Sequence, residues 1–90
     1  MGTRIELDIP CDVQQVDSTG FVWTFLDEAR DPARITVGAI VVTGDDVDPV
    51  LARVVSLTDL QSGVRVHLDL LPGDPAEYVE ALARAHLLTA

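Results

Sequence analysis

The sequence lacks the cysteine pairs that crosslink many secreted proteins and the long apolar stretches that anchor proteins in membranes. It has one cysteine, Cys11, so no disulfide bond can form within the chain. No apolar stretch approaches the roughly 18 residues that a membrane-spanning helix needs. Residues 1–10 mix charged and apolar residues and lack the apolar block of a signal peptide. These absences predict a cytoplasmic protein with no membrane partner.

Positive charge is also scarce. The chain has no lysine, and 15 acidic residues against six arginines give a formal net charge of −9 at pH 7. Such a charge repels the phosphates that dominate nucleic-acid affinity, and it disfavours anionic membrane surfaces. The arginines are also too scattered along the chain to form a basic patch. We therefore predict no nucleic-acid binding. The lysine-free composition, rich in Val, Ala, Leu and Asp, is typical of a GC-rich bacterial genome.

The motifs of common catalytic and cofactor sites are missing. The chain has no Gly-rich phosphate loop, no nucleophile elbow and no zinc-ligand spacing. Cys11, His67 and His86 stand far apart in the sequence, and nothing in it brings them together as nucleophile and base. Residues 45–48 include three aspartates but lack the spacing of a calcium-binding loop, so we interpret them as a solvated turn. We predict a protein that is not an enzyme and holds no metal or cofactor.

Alternating apolar residues predict six short strands. In the first, residues 3–9, three aliphatic side chains share one face until Pro10 ends the strand. Turn-forming residues at 17–20 and 58–63 predict two hairpins. The other five predicted strands are residues 12–16, 21–26, 36–43, 50–57 and 64–70.

The end of the chain carries the signals of a helix. Asp74 is a suitable N-cap, Pro75 fits the first helical position, and Glu77 completes a capping-box pattern. The apolar stripe of this helix predicts packing on the sheet; it consists of Tyr78, Val79, Leu82 and His86. No helical crossover separates the strands, so the sheet should be antiparallel. If the sheet closes into a barrel, it has no unpaired edge strands. The predicted fold is one domain, residues 1–90: mainly β, a small antiparallel six-stranded barrel with one C-terminal α-helix at about 75–87.

The order of the later elements resembles the layout of PilZ-type six-stranded β-barrels. The resemblance covers residues 35–88 and is carried by "ITVGAIVV", "LARVVSL" and "VRVHLDL" followed by a helix. It implies a barrel, and that family binds cyclic di-GMP through an Arg-x-x-x-Arg segment and an Asp/Asn-x-Ser-x-x-Gly segment. Here Asp8 stands four residues after Arg4, and Ser18 precedes Gly20 by only two residues. Neither ligand motif is intact. SH3-like small barrels fit the second hairpin about as well.

Three of the four aromatic residues, Phe21, Trp23 and Phe25, alternate within one predicted strand and therefore share one face. Two arrangements are open. The rings can fill the core, as aromatic residues of small domains usually do. If the apolar residues between them face inward instead, the rings point outward and mark a binding surface or a contact between copies.

We predict a non-enzymatic small β-barrel that acts as a binding or assembly module through a protein partner or self-association. The alternative is a PilZ-like nucleotide-sensing barrel with degenerate ligand motifs. The candidate interaction residues are the three aromatics and a polar rim from the following loop: Phe21, Trp23, Phe25, Asp27, Glu28, Arg30 and Arg34.

Overall fold

The computed structural model describes the backbone of residues 5–89 and the side chains of residues 5–85. This part of the chain forms one antiparallel four-stranded sheet followed by an α-helix. The strands are β1 (Val22–Phe25), β2 (Ile40–Gly44), β3 (Pro49–Leu60) and β4 (Gly63–Leu71), and the helix is α1 (Pro75–Thr89). Two 3-10 turns, Leu26–Glu28 and Pro32–Arg34, lie between β1 and β2. No helix in the described part is long and apolar enough to cross a membrane.

The hairpin of β3 and β4 is the centre of the sheet, whose strand order is β1-β4-β3-β2. It confirms the hairpin predicted from residues 50–70. Val54 lies opposite Leu68 and Ser56 lies opposite His67, so one extra residue of β3 forms a bulge between them. The bulge shifts the alternation of β3 by one residue. Ser56 therefore lies on the same face of the sheet as His67, opposite to the core.

The core lies on one face of the sheet and consists almost entirely of aliphatic side chains. Val66 and Leu68 of β4 are fully buried, as are Ala52 of β3 and Ile9 from the segment before β1. The remaining members of the core cluster are Val22, Ile35, Val41 and Val54. The side chain of Ile9 thus ties the start of the chain to the central strands.

The sheet is open, and the predicted six-stranded closed barrel is wrong. The first predicted strand, whose residues 3 and 4 lie outside the described part, forms no regular ladder with β2. The Asp8 and Ile9 N–H groups both donate to the Val42 carbonyl, at 2.8 and 3.3 Å. The Asp8 carboxylate accepts the Val42 N–H at 2.8 Å, where a strand would offer a backbone carbonyl. Pro10 then has no N–H with which to continue a ladder.

Residues 5–17, here called the N-terminal segment, nevertheless contact both edges of the sheet. Beside β2, the Cys11 N–H donates to the Gly44 carbonyl at 3.0 Å. Beside β1, the Gln15 carbonyl accepts the Trp23 N–H at 3.3 Å. The predicted strand at 12–16 is reduced to one isolated bridge, between Val16 and Val22, because a turn occupies residues 13–14.

The predicted helix is confirmed and extends to Thr89. The Asp74 carboxylate accepts the Ala76 N–H at 2.9 Å, as expected of an N-cap. Its predicted apolar stripe is only partly covered. The Tyr78 hydroxyl approaches the Ile40 carbonyl at 3.5 Å, but Val79 and Leu82 keep 42% and 37% of their surface exposed. The side chain of His86 lies outside the described residues.

Replacement of a core side chain should test this arrangement. Leu68 is fully buried at the centre of the sheet, whereas Leu60 at the end of β3 is 40% exposed. We expect Leu68→Ala to lower the free energy of unfolding by about 2–5 kcal/mol, through lost burial and the cavity left behind. Leu60→Ala, the matched control, should change it by less than about 1 kcal/mol. Urea denaturation followed by circular dichroism measures both, and equal losses would contradict the described core.

Candidate functional site

The alternation of β1 decides where the aromatic side chains point. Val22 and Thr24 are 3% and 9% exposed and face the core. Trp23 and Phe25 therefore lie on the opposite face of the strand, where both are half-buried. Of the two arrangements open to the sequence, the structure has the one in which the intervening residues face inward.

The two rings pack against each other and against an arginine of the neighbouring strand. The Trp23 and Phe25 rings meet edge to face, with centroids 5.5 Å apart. The Arg65 guanidinium carbon lies 4.4 Å from the Trp23 ring centroid. Such a cation–π contact contributes about 0.5–1 kcal/mol at a partly exposed site. The Arg65 Nε is buried and has no hydrogen-bond partner among the described residues, and the guanidinium stacks on the Trp23 ring.

Trp23 and Phe25 line a cleft of about 830 Å³ between β1, the N-terminal segment and the loop after β2. We call it the aromatic cleft. Four carboxylates line it and come from three separate parts of the chain: Asp12, Glu28, Asp45 and Asp48. None of its described lining residues is basic. The rest of the lining consists of Pro10, Cys11, Val13, Gln14, Gln15, Thr24 and Gly44. The arrangement suits a ligand with both apolar and cationic groups.

A tight turn after β2 positions two of these carboxylates. Gly44 has φ +92, and a Cβ at this position would lie 2.7 Å from the Asp48 carbonyl oxygen, so only glycine fits without strain. The Asp45 carboxylate accepts the N–H groups of Val47 and Asp48, at 2.9 and 2.7 Å. This is the solvated acidic turn expected from the sequence, and it forms one wall of the aromatic cleft.

The seven predicted interaction residues do not form a single surface. Trp23, Phe25 and Glu28 line the aromatic cleft. Phe21 is half-buried and Asp27 is exposed in the first 3-10 turn, and neither is among the residues that line this cleft. The rim predicted from residue order therefore contributes one side chain here, because the 3-10 turn directs its residues to different sides.

Arg30 and Arg34 lie at a second cleft, of about 760 Å³, beside α1. Arg30 forms salt bridges with Glu6, through its Nη1, and with Asp8, at 3.3 Å through its Nη2. Its backbone N–H also donates to the Asp8 carbonyl at 2.9 Å. Arg30 thus fastens the loop to the N-terminal segment, a role that could not be inferred from its neighbours in sequence.

The side chains of Ser56, His67 and Asp17 are linked by hydrogen bonds on the same face of the sheet as Trp23. The Ser56 Oγ lies 3.3 Å from His67 Nδ1, and His67 Nε2 lies 2.5 Å from Asp17 Oδ2. The residue types are those of a serine nucleophile with its base. However, Ser56 lies inside the β3–β4 pair beside the bulge, whereas nucleophilic serines are typically exposed on a sharp turn. The contacts instead fix the loop before β1 to β4 and β3.

The pKa of the Asp17 carboxyl is lowered by its hydrogen-bond partners. A hydrogen bond from the Thr19 hydroxyl, followed in size by the contact with His67, lowers the pKa of Asp17 from 3.8 to about 2. Both contacts favour the ionised carboxylate. The Thr19 backbone N–H adds a third donor, at 2.9 Å. Asp17 is therefore a fixed negative charge that stabilises the loop before β1.

Sequence reasoning missed part of this site. Strand alternation did place Arg65 and His67 outward, but it gave no sign that Arg65 covers Trp23 or that Asp17 reaches His67. Asp12 and the turn at 45–48 were not connected with the aromatic residues, since they are distant in sequence. The described residues include no group of three or more His, Cys, Asp or Glu side chains arranged to hold a metal ion.

Comparison with protein-family models, with curated proteins and with solved structures gives no match to this chain. The similarity to PilZ-type barrels therefore stays a prediction.

The Asp17 contacts predict an acid-sensitive contribution to stability. Because the folded-state pKa of about 2 is below the ordinary value of 3.8, the contribution is complete above about pH 5 and is lost as pH falls toward 2. The difference in unfolding free energy between wild type and Asp17→Asn should therefore be largest near neutral pH and shrink between pH 4 and pH 2. Denaturant titrations across this range measure it.

Ser18→Ala is the control for general damage to the same loop, since Ser18 is exposed. A difference between wild type and Asp17→Asn that does not vary with pH would contradict the described contacts of Asp17.

Proposed function

We propose that this chain is a non-enzymatic protein-binding module of the cytoplasm whose binding site is the aromatic cleft. The observation that carries the proposal is the placement of Trp23 and Phe25. The inward-facing Val22 and Thr24 keep these large rings out of the core, and the rings line a cleft instead. Tryptophan and tyrosine, together with arginine, dominate the binding energy of protein interfaces, and here a tryptophan and an arginine are stacked.

A protein partner is favoured over a nucleotide by the charges around the aromatic cleft. Its four carboxylates would repel phosphate groups, and no described lining residue offers a compensating cation. The residues that the PilZ resemblance would assign to a cyclic dinucleotide have other contacts. Asp8 accepts the Val42 N–H, and Asp17 contacts His67. A nucleotide-sensing barrel is therefore the less supported alternative.

The partner can be another protein or a second copy of the chain. Both use the same cleft in this proposal, so one substitution tests both. Trp23→Ala removes the ring at the centre of the cleft and should abolish association. Val37→Ala, which trims a side chain that is 64% exposed and does not line the cleft, is the matched control.

The test is selection of random peptides displayed on phage against the wild-type protein and both variants. We expect enriched sequences that bind wild type and Val37→Ala but not Trp23→Ala, because the lost ring is a large part of the contact area. Circular dichroism must show that Trp23→Ala is folded; Phe25→Leu, a milder change at the same cleft, replaces it otherwise.

Sedimentation of the wild-type protein over a dilution series covers self-association, which Trp23→Ala should also abolish. The proposal is overturned if selection yields no sequence whose binding depends on the cleft and the protein also stays monomeric at every concentration.

The non-enzymatic part of the proposal has its own test in Ser56. We expect no covalent labelling of the protein by a fluorophosphonate, measured by intact-mass spectrometry, because Ser56 lies inside a strand pair and not on an exposed turn. Labelling that disappears in Ser56→Ala and weakens in Asp17→Asn would contradict the proposal and assign an acyl-transfer activity instead. Ser62→Ala, an exposed serine of the turn between β3 and β4, is the control.

A further inference from the structure

The outer edge of β1 is paired along only part of its length. β4 lies on one side of β1. On the other side, the Phe21 carbonyl accepts the Asp17 N–H and the Trp23 N–H donates to Gln15. Alternate residues of a strand direct their backbone groups to the same side, so the Trp23 carbonyl and the Phe25 N–H point the same way. Neither group has a hydrogen-bond partner among the described residues, and Trp23 and Phe25 both line the aromatic cleft.

We propose that the aromatic cleft binds an extended, arginine- or lysine-containing segment of another protein, which joins β1 as a short added strand. This inference rests on the proposed function and gives it a partner chemistry and a binding mode. The binding mode is the addition of a strand to an exposed sheet edge.

The free Trp23 carbonyl and Phe25 N–H can pair with an added strand of either direction. In a parallel pair, one residue donates its N–H to the carbonyl of residue i−1 and accepts the N–H of residue i+1 on the facing strand. Trp23 and Phe25 occupy those two positions around Thr24. An antiparallel strand would pair with the same two groups if one of its residues lay opposite Thr24, which is the pattern that Val16 forms with Val22.

The charges select a basic segment. Glu28 and Asp48 have exposed side chains for which the described residues provide no hydrogen bond or ion pair, so they are free to pair with a cation. Asp12 and Asp45 hold turns in place and add to the negative potential. The Trp23 indole already stacks with one guanidinium, Arg65, which lies outside the lining of the cleft. Charge complementarity and an electron-rich ring thus favour the same side chains.

Two residues that occur once in the chain make the site directly observable. Cys11 and Trp23 both line the aromatic cleft, and they are the only cysteine and the only tryptophan. A bound segment should therefore slow alkylation of Cys11 by a maleimide and change the emission of Trp23. These two signals locate binding in this cleft without any substitution.

The probes are three short synthetic peptides with blocked ends. One alternates threonine and arginine, the second has glutamate in place of every arginine, and the third is the arginine peptide with its central residue N-methylated. We expect the arginine peptide to protect Cys11 and to bind at least about tenfold more tightly than the glutamate peptide, a difference of about 1.4 kcal/mol. Its affinity should fall with added salt. N-methylation should weaken it by removing a strand N–H.

Matched variants separate the charge of the cleft from the net charge of the protein. The double variant Glu28→Gln with Asp48→Asn removes two carboxylates of the cleft. Asp59→Asn with Glu77→Gln removes two exposed carboxylates elsewhere. We expect calorimetry to show about tenfold weaker binding of the arginine peptide to the first variant and nearly unchanged binding to the second. Equal effects of the two variants would overturn the inference.

The outcomes distinguish this inference from the proposed function. If phage selection returns Trp23-dependent peptides without basic residues, or the glutamate peptide protects Cys11 as well as the arginine peptide does, the basic-segment inference fails and the binding module stands. Binding that leaves Cys11 unprotected also overturns the inference. If no peptide protects Cys11, no Trp23-dependent sequence is selected and no self-association occurs, the proposed function itself fails.

Discussion

The attachment of the N-terminal segment to β2 is the interaction on which the rest of the structure depends. Ile9 is fully buried in the core, and Asp8 provides both a backbone donor and a carboxylate acceptor for Val42. An open sheet would otherwise leave these edge groups unpaired. Because the segment is fixed at β2, its continuation crosses to β1, where Gln15 receives the Trp23 N–H. The aromatic cleft is the space left between these two attachments.

The contents of the aromatic cleft follow from the small size of the core. Aliphatic residues such as Val66 and Leu68 fill the inner face, and Val22 and Thr24 of β1 complete it. The rings of Trp23 and Phe25 are therefore on the other face, where one edge-to-face contact and the Arg65 guanidinium cover part of their surface. What remains open is bordered by carboxylates. The same packing that keeps the rings out of the core therefore makes them available to a partner.

Features set by near neighbours could be predicted from the sequence, and features set by distant contacts could not. The β3–β4 hairpin and the Asp74-capped helix were predicted because alternation, turn residues and caps act within a few positions. The barrel was wrong because the outcome at residues 8–10 depends on the Asp8 carboxylate replacing a backbone carbonyl beside Val42. In the site, Glu28 was placed with the aromatics, whereas Arg30 pairs with Glu6 and Asp8, more than twenty residues away.

The sequence by itself determined a small, acidic, mainly β chain with a C-terminal helix, and it determined that Trp23 and Phe25 share a face of one strand. Only the tertiary structure decided which face that is, that the sheet stays open, and that Asp12, Asp45 and Asp48 meet the rings. The physical reason is the range of the forces that decide each feature. Backbone alternation and capping operate locally. The burial of one face and the pairing of one edge depend on which distant residues compete for the same core and the same hydrogen-bonding groups.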